Sequence, residues 1–240
     1  MKRVLSLCAA TACALACARA AVAAPPQPAE LLADFAPTAS QVAKESRGAV
    51  TVRLSGLGGA LRTVQAQTVV EAPASTVWSV LTDYPDYPKL FPRIARSELR
   101  IVGGQQEHYT LLRYPWPFSQ RWVLDAIYPD RRHWTVTWHR LDGTVRHLEG
   151  EWQLVPMGNQ TVLRYGVRID PGLPFVPMWA IQWGTQVMTP SILRAVAAEA
   201  QRRAEIQTAH RMLTPLIAPR PAGSPGQPSV ANAGYRPARR

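Results

Sequence analysis

The sequence predicts an α+β domain in which a curved antiparallel β-sheet wraps around a long C-terminal α-helix and encloses an internal cavity. Three observations lead to this fold class. Between residues 93 and 168, apolar and polar residues alternate with the period of two that is typical of strands. A short segment of helical periodicity precedes this region. A longer helical segment follows it, from about Met178 to Arg203.

The first elements of the domain are two strands and a helix. Strands are predicted at Val50–Leu54 and Arg62–Val70, separated by the turn SGLGG. This turn lacks the glycine spacing of a phosphate-binding loop, and no helix follows it, which argues against a nucleotide site. The segment ASTVWSVLTDY has helical spacing, and Ser75 is predicted as its N-cap.

The alternating region is predicted to form an antiparallel meander. Turn residues such as Gly103-Gly104 and Asp142-Gly143 separate its strands, and connections this short join antiparallel neighbours. The predicted strands are Ala95–Val102, Glu107–Arg113, Arg121–Tyr128, His133–Arg140, Val145–Val155 and Thr161–Ile169. Pro190 then interrupts the C-terminal helical segment, so that either the helix kinks there or a second helix begins.

The N-terminus has the features of an export signal. Met1-Lys2-Arg3 is basic, and Val4–Ala16 is apolar but too short to span a bilayer. The small residues Ala21-Val22-Ala23 predict cleavage after Ala23, and hence a periplasmic or secreted protein. The alternative to cleavage after Ala23 is lipid attachment at Cys17.

The flanking segments are expected to lie outside the domain. All three cysteines fall within residues 1–23, so the remaining chain can form no disulfide. Residues 24–47 are predicted as a linker with a weak helix near Ser40–Ser46, and residues 48–207 as the domain. Residues 208–240 are predicted as a basic, Pro- and Ala-rich disordered tail. The net charge of +11 is concentrated in the signal and this tail, which argues against a nucleic-acid partner.

Three stretches of the sequence carry a family resemblance. They are VVEAPASTVWSVLTDYPDYPKLFP (69–92), YPWPFSQRW (114–122) and PGLPFVPMWAIQWGTQVMTPSILRAV. Together they resemble the superfamily of START-like, polyketide cyclase and coenzyme Q-binding proteins, over roughly residues 48–205. The resemblance implies a helix-grip fold with a cavity for a lipid, a sterol or a quinone. Trp116, Pro117 and Arg121 match a W-P-x-x-x-R pattern of START domains, whereas Trp122 stands where an acidic residue is usual.

The candidate site is a ligand cavity rather than a catalytic or metal centre. Arg121 and Asp125 fall on one strand face but about 13 Å apart along it, which is too far for a catalytic pair. No nucleophile motif or metal-ligand spacing is present, so no catalytic residue, metal or other cofactor is predicted. The residues predicted to line the cavity are Trp78, Trp116, Arg121, Met178, Trp179, Trp183, Val187 and Met188.

The predicted function is to bind a hydrophobic small molecule and to carry or present it in the cell envelope. The predicted partner is therefore this ligand, together with a transient contact with membranes. A cyclase- or hydrolase-type enzyme that uses the same cavity is the alternative; it requires a His or Asp pointing inward beside a polar cluster. A module that binds an apolar segment of a protein partner is the third interpretation.

Overall fold

The computed structural model describes residues 29–32, 35, 48–55, 62–113, 120–170, 172 and 178–217, with backbone only at 29–30, 178–185 and 214–217. Four α-helices and one short 3-10 helix lie in these ranges. They are α1 (Ala29–Leu32), α2 (Ala74–Leu81), the 3-10 helix (Tyr84–Asp86), α3 (Tyr87–Leu90) and α4 (Met178–Ile217). The eight strands are β1 (Thr51–Ser55), β2 (Arg62–Val70), β3 (Ile94–Val102), β4 (Gln105–Leu112), β5 (Arg121–Asp130), β6 (Thr135–Gly143), β7 (His147–Met157) and β8 (Gln160–Asp170).

All eight strands form one antiparallel sheet in the order β1-β2-β8-β7-β6-β5-β4-β3. Strands β3 to β8 therefore form the predicted meander, and β1 and β2 complete the sheet next to β8. Helices α2 and α4 pack on one face of the sheet, which we call the inner face. The sequence-based prediction of an α+β fold with a curved sheet around a C-terminal helix is confirmed.

The core lies between the inner face and the two helices. Helix α2 contributes Val77 and Leu81, because helical spacing places them on the same side as Val80. Helix α4 contributes Leu193 and Val196, which are fully buried against α2 and β2. These contacts hold the middle of α4 on the sheet.

Two local expectations about the helices need correction. Helix α2 begins at Ala74, with Pro73 rather than Ser75 at the N-cap, because the carbonyl of Pro73 already accepts the N–H groups of Thr76 and Val77. Helix α4 does not end at Pro190, so no second helix begins there. It also continues to Ile217, ten residues into the segment predicted as a disordered tail, since residues 204–213 contain no glycine or proline.

Part of the predicted linker packs on the domain. Leu31, Leu32 and Phe35 are buried, and we call residues 29–32 and 35 the N-terminal strap. The strap lies on the outer face of the sheet, where Gly166 leaves a flat surface beneath Leu31 and Leu32. The side chain of Gln65 donates a 2.6 Å hydrogen bond to the carbonyl of Leu31. The predicted helix near 40–46 lies outside the described residues.

Arg203 is expected to stabilise the attachment of α4 to α2. Its guanidinium contacts Asp83 at 2.9 Å, Glu199 at 2.7 Å and the carbonyl of Ser79 at 3.2 Å. We expect Arg203→Met to lower the free energy of unfolding by about 2 kcal/mol, because it removes the charged partner of the half-buried Asp83, whereas Glu199 keeps its contact with Arg202. Chemical denaturation measures this loss.

Arg202 provides the matched control for this prediction. It also pairs with Glu199, at 2.7 Å, but its side chain is 60% exposed. Arg202→Met should therefore change stability by less than about 0.5 kcal/mol. Equal losses in the two variants would contradict a specific role for Arg203 between the helices.

Candidate ligand-binding site

The inner face carries an apolar band that crosses the middle of the sheet. Cross-strand pairing aligns Val64, Val167 and Gly150, and continues the same line through Trp138 to Ile127. Residues paired directly across antiparallel strands project from the same face, so the band is continuous over five strands. Alternation along β7 places Gly150 and Trp152 on the same face of this strand.

Three aromatic residues form the wall at the centre of this band. The ring centroids of Trp152 and Tyr165 are 4.5 Å apart, and Trp138 stacks on Tyr165 at 6.0 Å with an interplanar angle of 25°. Burial raises the pKa of the Tyr165 phenol, and nearby Asp125 raises it further. Tyr165 and Trp138 nevertheless keep solvent-accessible surface. A side chain that lies deep in the fold and is still accessible is typical of a cavity wall.

A polar line lies beside the aromatic wall, one step along the strands. Asp125 on β5 pairs with His108 on β4 and with Arg140 on β6. The pairing of β5 and β6 shifts between Leu124 and Asp125, so β6 bulges there and brings Arg140 opposite Asp125. An acid and a base thus adjoin an apolar wall inside the fold.

Asp125 is the most unusual group of this line. Its side chain is only 5% exposed, and its Oδ1 has no hydrogen-bond partner among the described residues. Burial raises the pKa of Asp125 to about 7, and the opposing effect of Arg140 is smaller. An unpartnered buried carboxyl is costly unless a further group, such as water or a ligand, completes its hydrogen bonds.

Arg121 lies two inner-face positions along β5 from Asp125. Its Nη1 donates a 3.2 Å hydrogen bond to the carbonyl of Thr144, and its Nε is buried without a partner in the described part of the chain. Arg121 therefore contacts the β6–β7 connection, and Asp125 faces Arg140. This geometry agrees with the expectation that Arg121 and Asp125 lie too far apart to act as a pair.

His108 does not activate a nucleophile. The hydroxyl of Ser97 donates its one proton to the carbonyl of Tyr84 at 2.6 Å. The 2.7 Å contact between Ser97 Oγ and His108 Nε2 must then be donated by the histidine. Burial lowers the pKa of His108 to about 4, which keeps the ring neutral. His108 therefore links the 3-10 helix to β3 and β4, and Ser97 is not prepared for attack.

The predicted cavity residues fall in different parts of the structure. Trp78 packs edge-on against Trp134, with the Arg131 guanidinium over both rings at 5.4 and 3.7 Å. This assembly lies beyond the far end of β5 from Arg121, about 30 Å away at about 3.3 Å per residue. The structure therefore does not bring Trp78 and Arg121 together.

The structure describes the remaining predicted cavity residues only in part. Trp116 lies outside the described residues, and only the backbone of Met178, Trp179 and Trp183 is described, on the first turns of α4. Farther along α4, Val187 is 53% exposed and Met188 is half-buried. Their assignment as a cavity lining stays a prediction.

The inner-face residues that sequence reasoning missed are Trp138, Arg140 and Tyr165. A signal for each was present, because all three continue the alternation of predicted strands. Their meeting depends on cross-strand register, which the alternation within a single strand does not show. Among the described residues, no cluster of His, Cys, Asp or Glu could hold a metal ion. The described helices include none that is long and apolar enough to cross a membrane.

A sheet that grips one long helix and presents an accessible inner face defines the START-like class of helix-grip proteins. Residues 62–203 match the family described as polyketide cyclase / dehydrase and lipid transport, and the chain belongs to this family. The family binds hydrophobic small molecules. A putative polyketide cyclase of Streptomyces halstedii is 27% identical over 89 residues, which are 36% of this chain and 81% of that protein.

Solved structures show the same fold. A STAR-related lipid transfer protein from Xanthomonas axonopodis is 26% identical, with a TM-score of 0.53 over 63% of this chain and 92% of that chain. The Zhui aromatase/cyclase of a Streptomyces species is 24% identical, with a TM-score of 0.51 over 60% and 95%. Human STARD10 is 14% identical, with a TM-score of 0.53 over 77% and 90%.

Proposed function

We propose that the protein binds one hydrophobic small molecule, a lipid, a sterol-like compound or a quinone, on the inner face of its sheet. The observation that carries this proposal is the aromatic wall of Trp138, Trp152 and Tyr165, of which Trp138 and Tyr165 keep accessible surface, beside the unpartnered Oδ1 of Asp125. The wall suits an apolar body, and the polar line suits a head group. The lipid transfer protein of X. axonopodis, at 26% identity, supports the proposal.

The head group is expected to lie between Asp125, Arg140 and Arg121. Asp125 Oδ1 can accept a hydrogen bond, and the unpartnered Nε atoms of Arg121 and Arg140 can donate. A ligand that offers both a donor and an acceptor, such as a hydroxyl group, satisfies these atoms without adding a buried charge. Apolar contact then supplies affinity, at about 25 cal/mol per Å² before the costs of association.

The proposed role is to carry or present this ligand in the cell envelope. Export is supported by the basic and apolar segments of residues 1–16 and by the small residues 21–23. The intact mass of protein recovered after secretion tests it: a chain beginning at Ala24 is expected. Retention of residues 1–23 would contradict cleavage, and an acylated N-terminal Cys17 would indicate a lipoprotein.

Transfer of a fluorescent amphiphile between vesicles tests carriage. We expect the protein to accelerate transfer from donor to acceptor vesicles, and Arg121→Met to weaken ligand affinity about tenfold through a lost charged hydrogen bond. Arg132, an exposed residue of the β5–β6 turn, is the control, and Arg132→Met should transfer as the wild type does. Vesicle exchange that is no faster with protein than without it would contradict a carrier.

A cyclase- or hydrolase-type enzyme is the second candidate function. It is favoured by one observation: the carboxyl of Asp125 is buried beside an apolar wall, and its pKa of about 7 suits proton transfer. The enzyme predicts turnover of a bound compound, which disappears in Asp125→Asn while binding persists. Recovery of every bound compound unchanged, after prolonged incubation at pH 7, would contradict it.

A further inference from the structure

Gly150 lies directly beneath the indole of Trp138. A Cβ atom at position 150 would overlap Cζ2 of Trp138 and lie 2.6 Å from its Cε2. The indole of β6 therefore rests on the backbone of β7, where any other residue would carry a side chain. From there it reaches β8 and stacks on Tyr165 at an angle of 25°.

The flat indole determines how much space remains above the sheet. Trp138 keeps accessible surface although it faces the core, so its side chain is not fully covered by protein. A methyl group at position 150 would force the ring off the strand. Since the sheet blocks movement in the other direction, the ring would turn into the interior.

We propose that Gly150 is a specificity-determining residue, which keeps the interior wide enough for a rigid, ring-shaped apolar ligand by allowing the Trp138 indole to lie flat on β7. The inference rests on the proposed function and names the class of ligand for the same site. The indole is a planar surface, and planar rings gain offset stacking on it that a flexible acyl chain does not. Gly150 and Trp138 therefore select ligands by their width rather than by their length.

Two fluorescent probes distinguish selection by the width of the ligand from selection by its hydrophobicity. Dehydroergosterol has four fused rings, and cis-parinaric acid is a single acyl chain. We expect the wild type to bind both, and Gly150→Ala to raise the Kd of dehydroergosterol by at least about tenfold, the penalty of one methyl group in a filled pocket. The Kd of cis-parinaric acid should stay unchanged, because a thin chain still fits beside the turned indole.

A double-mutant cycle shows whether Gly150 acts through Trp138. Trp138→Ala alone should raise the Kd of dehydroergosterol by about threefold to tenfold, through loss of stacking. Without the indole, the methyl group at position 150 loses its closest obstruction and meets only the backbone oxygen of Gly166, so Gly150→Ala/Trp138→Ala should bind nearly as Trp138→Ala does. The alternative is that the methyl group shifts strand β7, because the backbone oxygen of Gly166 also lies 2.8 Å from the added Cβ. In that case removal of the indole should not restore the affinity lost in Gly150→Ala.

Gly166→Ala is the matched control. Gly166 belongs to the adjoining strand β8, but its added Cβ would meet Leu31 and Leu32 on the outer face, at 3.1 and 3.2 Å. It should leave both Kd values unchanged. If Gly150→Ala does not fold, Trp138→Ala retains the glycine and still tests the selective loss of the ring probe.

The outcomes separate this inference from the proposed function. A wild type that binds neither probe contradicts the proposed function and the inference with it. A wild type that binds only the chain overturns the inference alone. So does a Trp138→Ala variant with unchanged affinity for dehydroergosterol, a Gly150→Ala variant that binds both probes normally, or a double variant that remains as impaired as Gly150→Ala.

Discussion

Asp125→Asn is expected to stabilise the protein above pH 7 and to leave its stability unchanged in acid. The carboxyl of Asp125 is 5% exposed, and burial raises its pKa from 3.8 to about 7. The folded protein therefore holds a proton that the unfolded chain releases between these two values. The stability of the wild type should fall as pH rises through 7, whereas a neutral Asn removes this dependence.

The size of this effect makes it measurable by thermal unfolding. Each unit of pKa shift corresponds to about 1.4 kcal/mol, so Asp125 accounts for about 3 to 4 kcal/mol between pH 4 and pH 8. For a domain of this size, Asp125→Asn should raise Tm at pH 8 by about 5–10 °C. At pH 4 the two proteins should unfold together, because Asp125 is then protonated in the folded state.

Asp142 provides the control for the loss of a carboxylate near Arg140. It lies 3.7 Å from the same arginine, but its side chain is 70% exposed. Asp142→Asn should therefore follow the wild type at every pH. Asp125→Asn and wild-type curves that remain parallel from pH 4 to pH 8 would contradict a buried, protonated carboxyl at the site.

Removing the strap's side chains is expected to have the second large effect. Leu32 and Phe35 are each 5% exposed on the outer face, and the guanidinium of Arg53 lies 5.4 Å above the Phe35 ring. We expect Leu32→Ala/Phe35→Ala to lower the free energy of unfolding by about 4 kcal/mol, through lost apolar burial. Chemical denaturation at pH 7 measures this change.

The strap should also influence the pH dependence of stability. It covers Glu151, whose pKa is raised to about 7 by burial, with a smaller opposing effect from the backbone N–H of Leu32. A loosened strap returns water to Glu151 and lowers this pKa, so the variant should lose stability less steeply between pH 5 and pH 8. Leu213→Ala is the control, because Leu213 is 55% exposed on α4. If Leu32→Ala/Phe35→Ala is as stable as Leu213→Ala, the strap contributes nothing to stability and acts only as a linker.

The meander could be predicted because its information is local. Strands β3 to β8 each alternate with period two, and the turns between most of them are too short for anything except hairpins. The same alternation predicted that Arg121 and Asp125 share one face of β5, too far apart to act as a pair. These relations need no knowledge of the partner strand.

The site could not be predicted in full because it depends on pairing between strands. The bulge of β6 near Gly143 brings Arg140 opposite Asp125, and no residue pattern within β5 shows this. The contact of Gly150 with Trp138 likewise depends on the register of β6 and β7. The strap was predicted as a linker because three apolar residues do not reveal that Gly166 leaves them a surface.

Native mass spectrometry of the gently purified wild-type protein tests the central claim most directly. We expect a one-to-one adduct with a hydrophobic small molecule, either retained from the cell or taken up from a lipid and quinone extract. Solvent extraction should release this molecule intact. A protein that emerges repeatedly without a ligand, and takes up nothing from either extract, would contradict ligand binding on the inner face.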